Sequence, residues 1–168
     1  MNIKQANKED LQELIPIYKE AFTKHNIFQK SEEEILDYLE DHNQKNTILV
    51  AKIEEKVVGG ILLRKMSEDL NGKHFVWKYN HIAVSKEYQK QGIGSALINA
   101  ADEKIKEAIS EKLFDTAKIE ISIAESEKTT INFYKRLGFE IEGELKSHYR
   151  FNESVSCLGK EITKDQQK

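Results

Sequence analysis

The chain has one cysteine, Cys157, and one proline, Pro16, in 168 residues. A lone cysteine cannot form an internal disulfide, which excludes a disulfide-stapled fold and makes the cytoplasm the expected compartment. No apolar run approaches the length needed to span a bilayer, and the opening MNIKQANKEDL lacks an apolar leader segment, so no membrane partner is expected. Excess positive charge is missing as well: 26 Lys and Arg against 29 Asp and Glu leave a formal net charge of −3. That balance argues against nucleic acid as a partner and suits a cationic small substrate. There is no low-complexity linker and no internal repeat. The expected organisation is a single domain over residues 1–163 with a polar tail at 164–168.

What is present centres on Tyr79 to Ile109, YNHIAVSKEYQKQGIGSALINAADEKIKEAI. Ile82 and Val84 are spaced as same-face strand positions. After Gly92, the residues Ile93, Leu97, Ala100, Ile105, Ala108 and Ile109 recur at helical spacing. Between them Gln89-Lys90-Gln91-Gly92-Ile93-Gly94 has the form Q-x-x-G-x-G. A glycine-rich turn entering a helix offers unpaired N–H groups on the positive end of the helix dipole, and glycine lets an anion approach them. A helix that simply opens on small residues has the same pattern, so these six residues do not decide the matter.

Around that stretch, Asn2 to Gln5 reads as a short strand and Asn7 as the N-cap of a helix carrying Leu11, Leu14, Ile15, Tyr18, Ala21 and Phe22. Pro16 falls inside this helix and is expected to bend or break it. Ser31 and Glu34 form a capping box before a helix with Ile35, Tyr38 and Leu39 on its apolar face. Thr47 to Ile53 and Val57 to Leu63 read as a hairpin turning at Glu54-Glu55-Lys56. Gly59-Gly60 marks a bulge or a close backbone contact, and Asn71-Gly72 a turn into a strand from Phe75 to Val84. Lys118 to Ala124 alternates as a strand, so strand, long helix and strand make one parallel crossover. Ser126 is placed to cap a short helix ending at Leu137, with Gly138 left-handed and Phe139 folding back in a Schellman motif. Glu140 to Leu145 and Val155 to Ile162 close the chain. The expected fold is α/β (α+β): a mixed, largely antiparallel sheet with one parallel β-α-β crossover and helices on both faces.

In this order the elements resemble the GNAT superfamily of N-acetyltransferases. Three stretches carry the resemblance: the QKQGIG turn after Ile82-Ala83-Val84, similar to the family's acetyl-CoA signature; Asn132 to Phe139, NFYKRLGF, similar to its late F-Y-x-x-x-G-F segment; and the hairpin ILVAKIEEKVVGGILL. The resemblance implies acetyl-CoA as co-substrate, no metal, and direct attack by a primary amine in a ternary complex. It assigns the coenzyme pyrophosphate to the turn and helix start at Gln89, Lys90, Gln91, Gly92, Ile93, Gly94, Ser95 and Ala96, with the amides from Gln91 to Ala96 as the cradle. In the family the strand before the signature splays from the next. The backbone of Ile82, Ala83 and Val84 would then pair with the pantetheine arm, flanked by the strand around Ile121. An N–H near Ile82 would polarise the thioester carbonyl. Tyr134 would donate to the departing thiolate; packing at the helix end is the other reading of that residue.

A general base is harder to identify. His81 titrates in the right range, although a histidine on a strand also serves as a hydrogen-bonded structural residue. One departure from the family is clear: it carries an asparagine seven residues before the tyrosine, and here that position is Glu127. Lys86 and Lys90 are candidates to neutralise phosphates, and His148 and Tyr149 lie where a substrate loop would be. Cys157 reads as a small core residue rather than an acyl carrier. The acceptor amine stays open, from amino acid and polyamine to peptide N-terminus and protein lysine. A homodimer is common among similar proteins, though no residue here demands one. A non-catalytic acyl-CoA-binding sensor or interaction module on the same fold is the competing reading. A nucleotide-binding α/β domain fits poorly, because antiparallel strands precede the signature.

Overall fold

The computed structural model describes residues 1–111, 114–148 and 152–163; the expected tail lies outside them. The chain forms β1 (Asn2–Gln5), α1 (Lys8–Ala21), α2 (Glu32–Lys45), β2 (Thr47–Ile53), β3 (Lys56–Glu68), β4 (His74–Val84), α3 (Ile93–Ser110), β5 (Thr116–Ala124), α4 (Ile131–Lys135), β6 (Glu140–Leu145) and β7 (Val155–Thr163). The strand order is β1-β2-β3-β4-β5-β7-β6. β4 and β5 run parallel, while β1-β2, β2-β3, β5-β7 and β6-β7 are antiparallel. The α/β fold expected from the sequence, largely antiparallel with one parallel pair, is the one observed. Contacts group the chain into two compact units, Met1–Arg64 with Tyr79–Ala101, and Lys65–Lys78 with the chain from Asp102 onward.

In the first unit, both expected caps form. Asn7 accepts from the Asp10 amide while Asp10 accepts from the Asn7 amide, and Ser31 and Glu34 repeat the exchange at α2. Leu11, Leu14, Ile15 and Tyr18 of α1 bury against Ile35 and Leu39 of α2, Ile48 and Val50 of β2, and Leu62 of β3. The helix runs through Pro16 without a break. Pro16 and Gln12 are both exposed, so water can take over the lost bond to the Gln12 carbonyl, and the buried residues flanking Pro16 hold the two halves. The hairpin turn is tighter than expected: Glu54 and Glu55 alone form it, at φ 48° and 66°. Two left-handed residues suit the twist of a two-residue hairpin.

Asp10 is the buried charge of this unit, only 1% exposed. Its carboxylate receives Lys4 at 2.7 Å and Lys52 at 2.9 Å in addition to the cap. Burial pushes its pKa up, but Lys4, the Asn7 amide and Lys52 outweigh that and hold it below the usual carboxylate value. At the other end of the unit, Gly59 lies flush against β4. A Cβ there would sit 2.7 Å from the Ala83 carbonyl oxygen and 3.3 Å from the Val84 Cα. A Cβ on Gly60 would strike the Leu14 side chain at 2.8 Å. The expected close contact is therefore real, and a register shift between Ala51 and Lys52 adds the bulge.

In the second unit, β5 buries Ala117, Ile119, Ile121 and Ile123 and pairs with β4 from His74 to Lys78 and with β7 along its whole length. The turn before β4 is closed by Asp69, whose Oδ1 accepts the amides of Lys73 and His74, with Gly72 at φ 64°. Ser126 does not cap a helix. Glu125–Thr130 is a 3-10 turn, and the Ser126 hydroxyl donates to Glu153 at 3.0 Å instead. The Schellman motif after α4 does form: Gly138, at φ 85°, donates to the Lys135 carbonyl, and Phe139 to the Tyr134 carbonyl.

Asp10→Asn is expected to lower stability by about 3 kcal/mol, because two lysines lose their buried counter-charge. The folded pKa of Asp10 is depressed, so its contribution is complete above the unfolded value near 3.9 and is lost as pH falls through the folded value. Urea titrations at pH 7 and pH 3 should therefore show the gap between wild type and variant narrowing in acid. Gly59→Ala is expected to cost about 1–3 kcal/mol in the same measurement, since backbone rather than a movable side chain stands in the way.

Candidate functional site

The turn joining β4 to α3 is built by its own side chains. Ser85 donates its amide to the Val58 carbonyl, so the chain leaves β4 still attached to β3. The Gln89 side-chain amide reaches back to the Val84 carbonyl at 3.0 Å, and that of Gln91 to the Glu87 carbonyl at 3.1 Å. Lys90 at φ 61° and Gly92 at φ 81° make the two left-handed steps that turn the chain into the helix. A Cβ on Gly92 would meet nothing within 4 Å. Glycine is required there by backbone angle, and the space before it is open.

Helix α3 starts at Ile93, whose buried side chain pins its first turn. Ala96 makes the opening bond of the helix, donating to the Gly92 carbonyl at 2.9 Å. Of the expected cradle, the Ala96 amide is thus committed to the helix, while those of Ile93, Gly94 and Ser95 precede any such bond. Gln91 and Gly92 are exposed and Gly94 and Ser95 half-buried. This arrangement, amides at the start of an 18-residue helix behind an open glycine, fits a diphosphate. Lys86 is paired with Glu20 at 2.8 Å, whereas Lys90 is exposed.

The end of β4 divides by parity. The Ala83 carbonyl and the Ser85 amide face β3. Alternation turns the N–H and C=O of Ile82 and Val84 the other way. Ala83 itself is engaged in the sheet and in the core cluster. His81 interrupts the strand at φ 50°. Its Nε2 lies 2.8 Å from the Tyr38 hydroxyl of α2, and its ring packs edge-on against Phe28 at 5.0 Å and His25 at 5.0 Å. Sequence reasoning missed Tyr38 and His25. Tyr38 was assigned to an apolar helix face, and no local spacing reveals a partner 43 residues away.

In the second unit, Tyr134 is stitched in at the end of α4. Its carbonyl accepts the amides of Leu137 and Phe139, and its ring meets Phe133 at 5.0 Å and Phe139 at 6.0 Å. Burial, with a smaller contribution from the Glu127 carboxylate, pushes its phenol up to about 12. The packing reading and the donor reading of Tyr134 are compatible, since both use the same fixed ring. His148 is exposed, and Tyr149 lies outside the described residues. Among the described residues no helix is long and apolar enough to cross a membrane.

With this geometry in hand, the chain can be set beside known proteins. It is 27% identical over 161 residues to an N-alpha-acetyltransferase of Sulfurisphaera tokodaii, covering 93% of this chain and 90% of that one. Its fold superposes on a ribosomal-protein-alanine N-acetyltransferase from Brucella melitensis with a TM-score of 0.74, at 24% identity, covering 96% of this chain and all of the other. A phosphinothricin acetyltransferase from Sinorhizobium meliloti, solved in complex with AcCoA, gives a TM-score of 0.76 at 18% identity, covering 96% and 88% of the two chains. The family description "Acetyltransferase (GNAT) domain" matches residues 44–141. That match takes in more than half of the sequence and includes the QKQGIG turn and the late tyrosine; the chain belongs to the GNAT acetyltransferase family.

Proposed function

We propose that the protein moves the acetyl group of acetyl-CoA to a primary amine by direct attack in a ternary complex. The observation that carries this reading is the turn at Gly92, whose left-handed angle, open front and following amides suit a coenzyme diphosphate. The family match spans both compact units, which supports treating residues 1–163 as one acetyltransferase domain. The Sulfurisphaera tokodaii relative is described as an N-alpha-acetyltransferase, which supports testing peptide α-amines first.

The bound thioester supplies an activated acyl carbon; the chain's residues must hold it, polarise it and manage two protons. The amides of Gln91 to Ser95 take the diphosphate, with Gln89 and Gln91 holding the loop in shape. Ile82 and Val84, whose backbone groups point away from β3, are the strand positions for the pantetheine arm, and the Ile82 N–H is the donor for the thioester oxygen. His81 is the base that balances the proton the amine gives up. Tyr134 faces the sulfur's need for a donor. With its pKa near 12, above the roughly 8.5 of a thiol, complete proton transfer to a thiolate runs uphill. Tyr134 therefore acts as a neutral hydrogen-bond donor, and the thiolate takes its proton from solvent after leaving.

Turnover is tested by thiol release from acetyl-CoA across peptides with free α-amines, polyamines, amino acids, aminoglycosides and protein lysines; thiol release with none of them would overturn the proposal. Tyr134→Phe should lower kcat about a hundredfold while leaving coenzyme affinity nearly unchanged. Because the phenol stays protonated up to about 12, the variant should lower the pH–rate curve without removing an alkaline limb. Gly92→Ala forces a Cβ into a left-handed angle at about 1–2 kcal/mol. Where the exposed turn relaxes away from that angle its amides shift, so isothermal titration should show coenzyme A binding weakened about tenfold, and the urea midpoint should fall by no more than that strain.

A further inference from the structure

His81 has two properties that its role as a lone base leaves unused. It holds a left-handed backbone angle, φ 50°, within a strand, a conformation uncommon for a non-glycine residue, though one histidine adopts more readily than most. Its Nε2 is also already engaged, 2.8 Å from the Tyr38 hydroxyl. Of the two groups the phenol is the more acidic donor, which favours the pairing in which Tyr38 O–H donates, Nε2 accepts and the ring's own hydrogen sits on Nδ1. In that state the basic nitrogen of His81 lies behind the Tyr38 oxygen, 2.8 Å away.

We propose that Tyr38 and His81 act as one base, the Tyr38 oxygen taking the amine's proton as the Tyr38 proton passes to His81 Nε2. The proposal rests on the acetyltransferase reading above. In the step, the C–N bond forms and an amine N–H breaks to make a new Tyr38 O–H. The old Tyr38 O–H breaks to make Nε2–H, and the C–S bond breaks with its electron pair leaving on sulfur. His81 ends as an imidazolium and returns its proton to solvent, from which the thiolate takes one; the net change is one proton from amine to thiol.

The surroundings suit a transient cation on His81. Phe22 and Phe28 meet its ring in T-shaped contacts, 5.6 Å and 5.0 Å between centroids, and an aromatic face turned to the imidazole would stabilise its cation. The titratable groups packed against the imidazole are Tyr18 from α1, His25 from the segment after it, and Tyr38 from α2. Tyr18 stays neutral, its pKa raised by burial. On the far side of Tyr38, His42 meets its ring edge-on at 4.5 Å, and burial followed by the Arg64 charge lowers its pKa.

Nitrogen-15 NMR of the His81 ring in the resting protein tests the hydrogen bond without any substitution. The expected result is Nδ1 protonated and Nε2 accepting, with that preference lost in Tyr38→Phe. A protonated Nε2 in neutral wild-type protein would overturn the relay. In the thiol-release assay, Tyr38→Phe and His81→Gln should each lower kcat about a hundredfold and erase the same acid limb, with KM for acetyl-CoA unchanged. The double variant should be no slower than either single one, as for residues that act as a unit. Multiplied losses, or an intact acid limb in Tyr38→Phe, would overturn the relay alone. No turnover by wild type with any amine would overturn the acetyltransferase reading and the relay with it. Coenzyme A affinity, read by titration, checks that each variant is folded.

Discussion

One backbone contact sets the position of the chain beyond β4. Gly59 has no side chain, so β3 can lie against the Ala83 carbonyl and Val84 at a distance no other residue allows. The Ser85 amide extends the contact by one more bond to Val58. From there the loop is short and internally braced, and its geometry is passed directly to the first turn of α3. The parity of β4 is fixed by the same contact: with Ala83 and Ser85 turned toward β3, Ile82 and Val84 must present their polar groups to the other side.

Much of this was legible in the sequence because the signals were local. Caps at Asn7 and Ser31, the glycine after Leu137, the alternation of Ile119, Ile121 and Ile123, and the two glycines of β3 each have one cheap backbone solution. The errors were local signals overruled by context. Of the bend or break expected at Pro16, the break does not occur, because its position on the exposed face, between turns buried on both sides, removes most of the penalty. Ser126 has the composition of a cap, yet Glu153 offers its hydroxyl a better partner. The hairpin expected at Glu54-Glu55-Lys56 forms one residue tighter, with Glu54 and Glu55 alone in the turn and Lys56 drawn into the strand pairing.

The site was legible in part for the same reason. A glycine turn at a helix start is a sequence-local object, and the fold retains it with one amide fewer than expected, since Ala96 closes the helix. The environment of His81 is the opposite case. It is assembled from α1, the segment after it, α2 and β4, and each residue of the cluster looks like ordinary core when read alone. Long-range polar contacts leave no spacing signature, so a base that depends on one can be suspected from a histidine but not understood from it.

The anchoring of Tyr134 has a further meaning. Its carbonyl holds two amides and its ring is wedged between two phenylalanines, so its backbone and rotamer freedom are surrendered when the chain folds. In the proposed donor role, the entropy of ordering the phenol would be settled once, during folding, instead of at each encounter with substrate. A hydroxyl preorganised in this way can serve turnover after turnover without a search for its orientation.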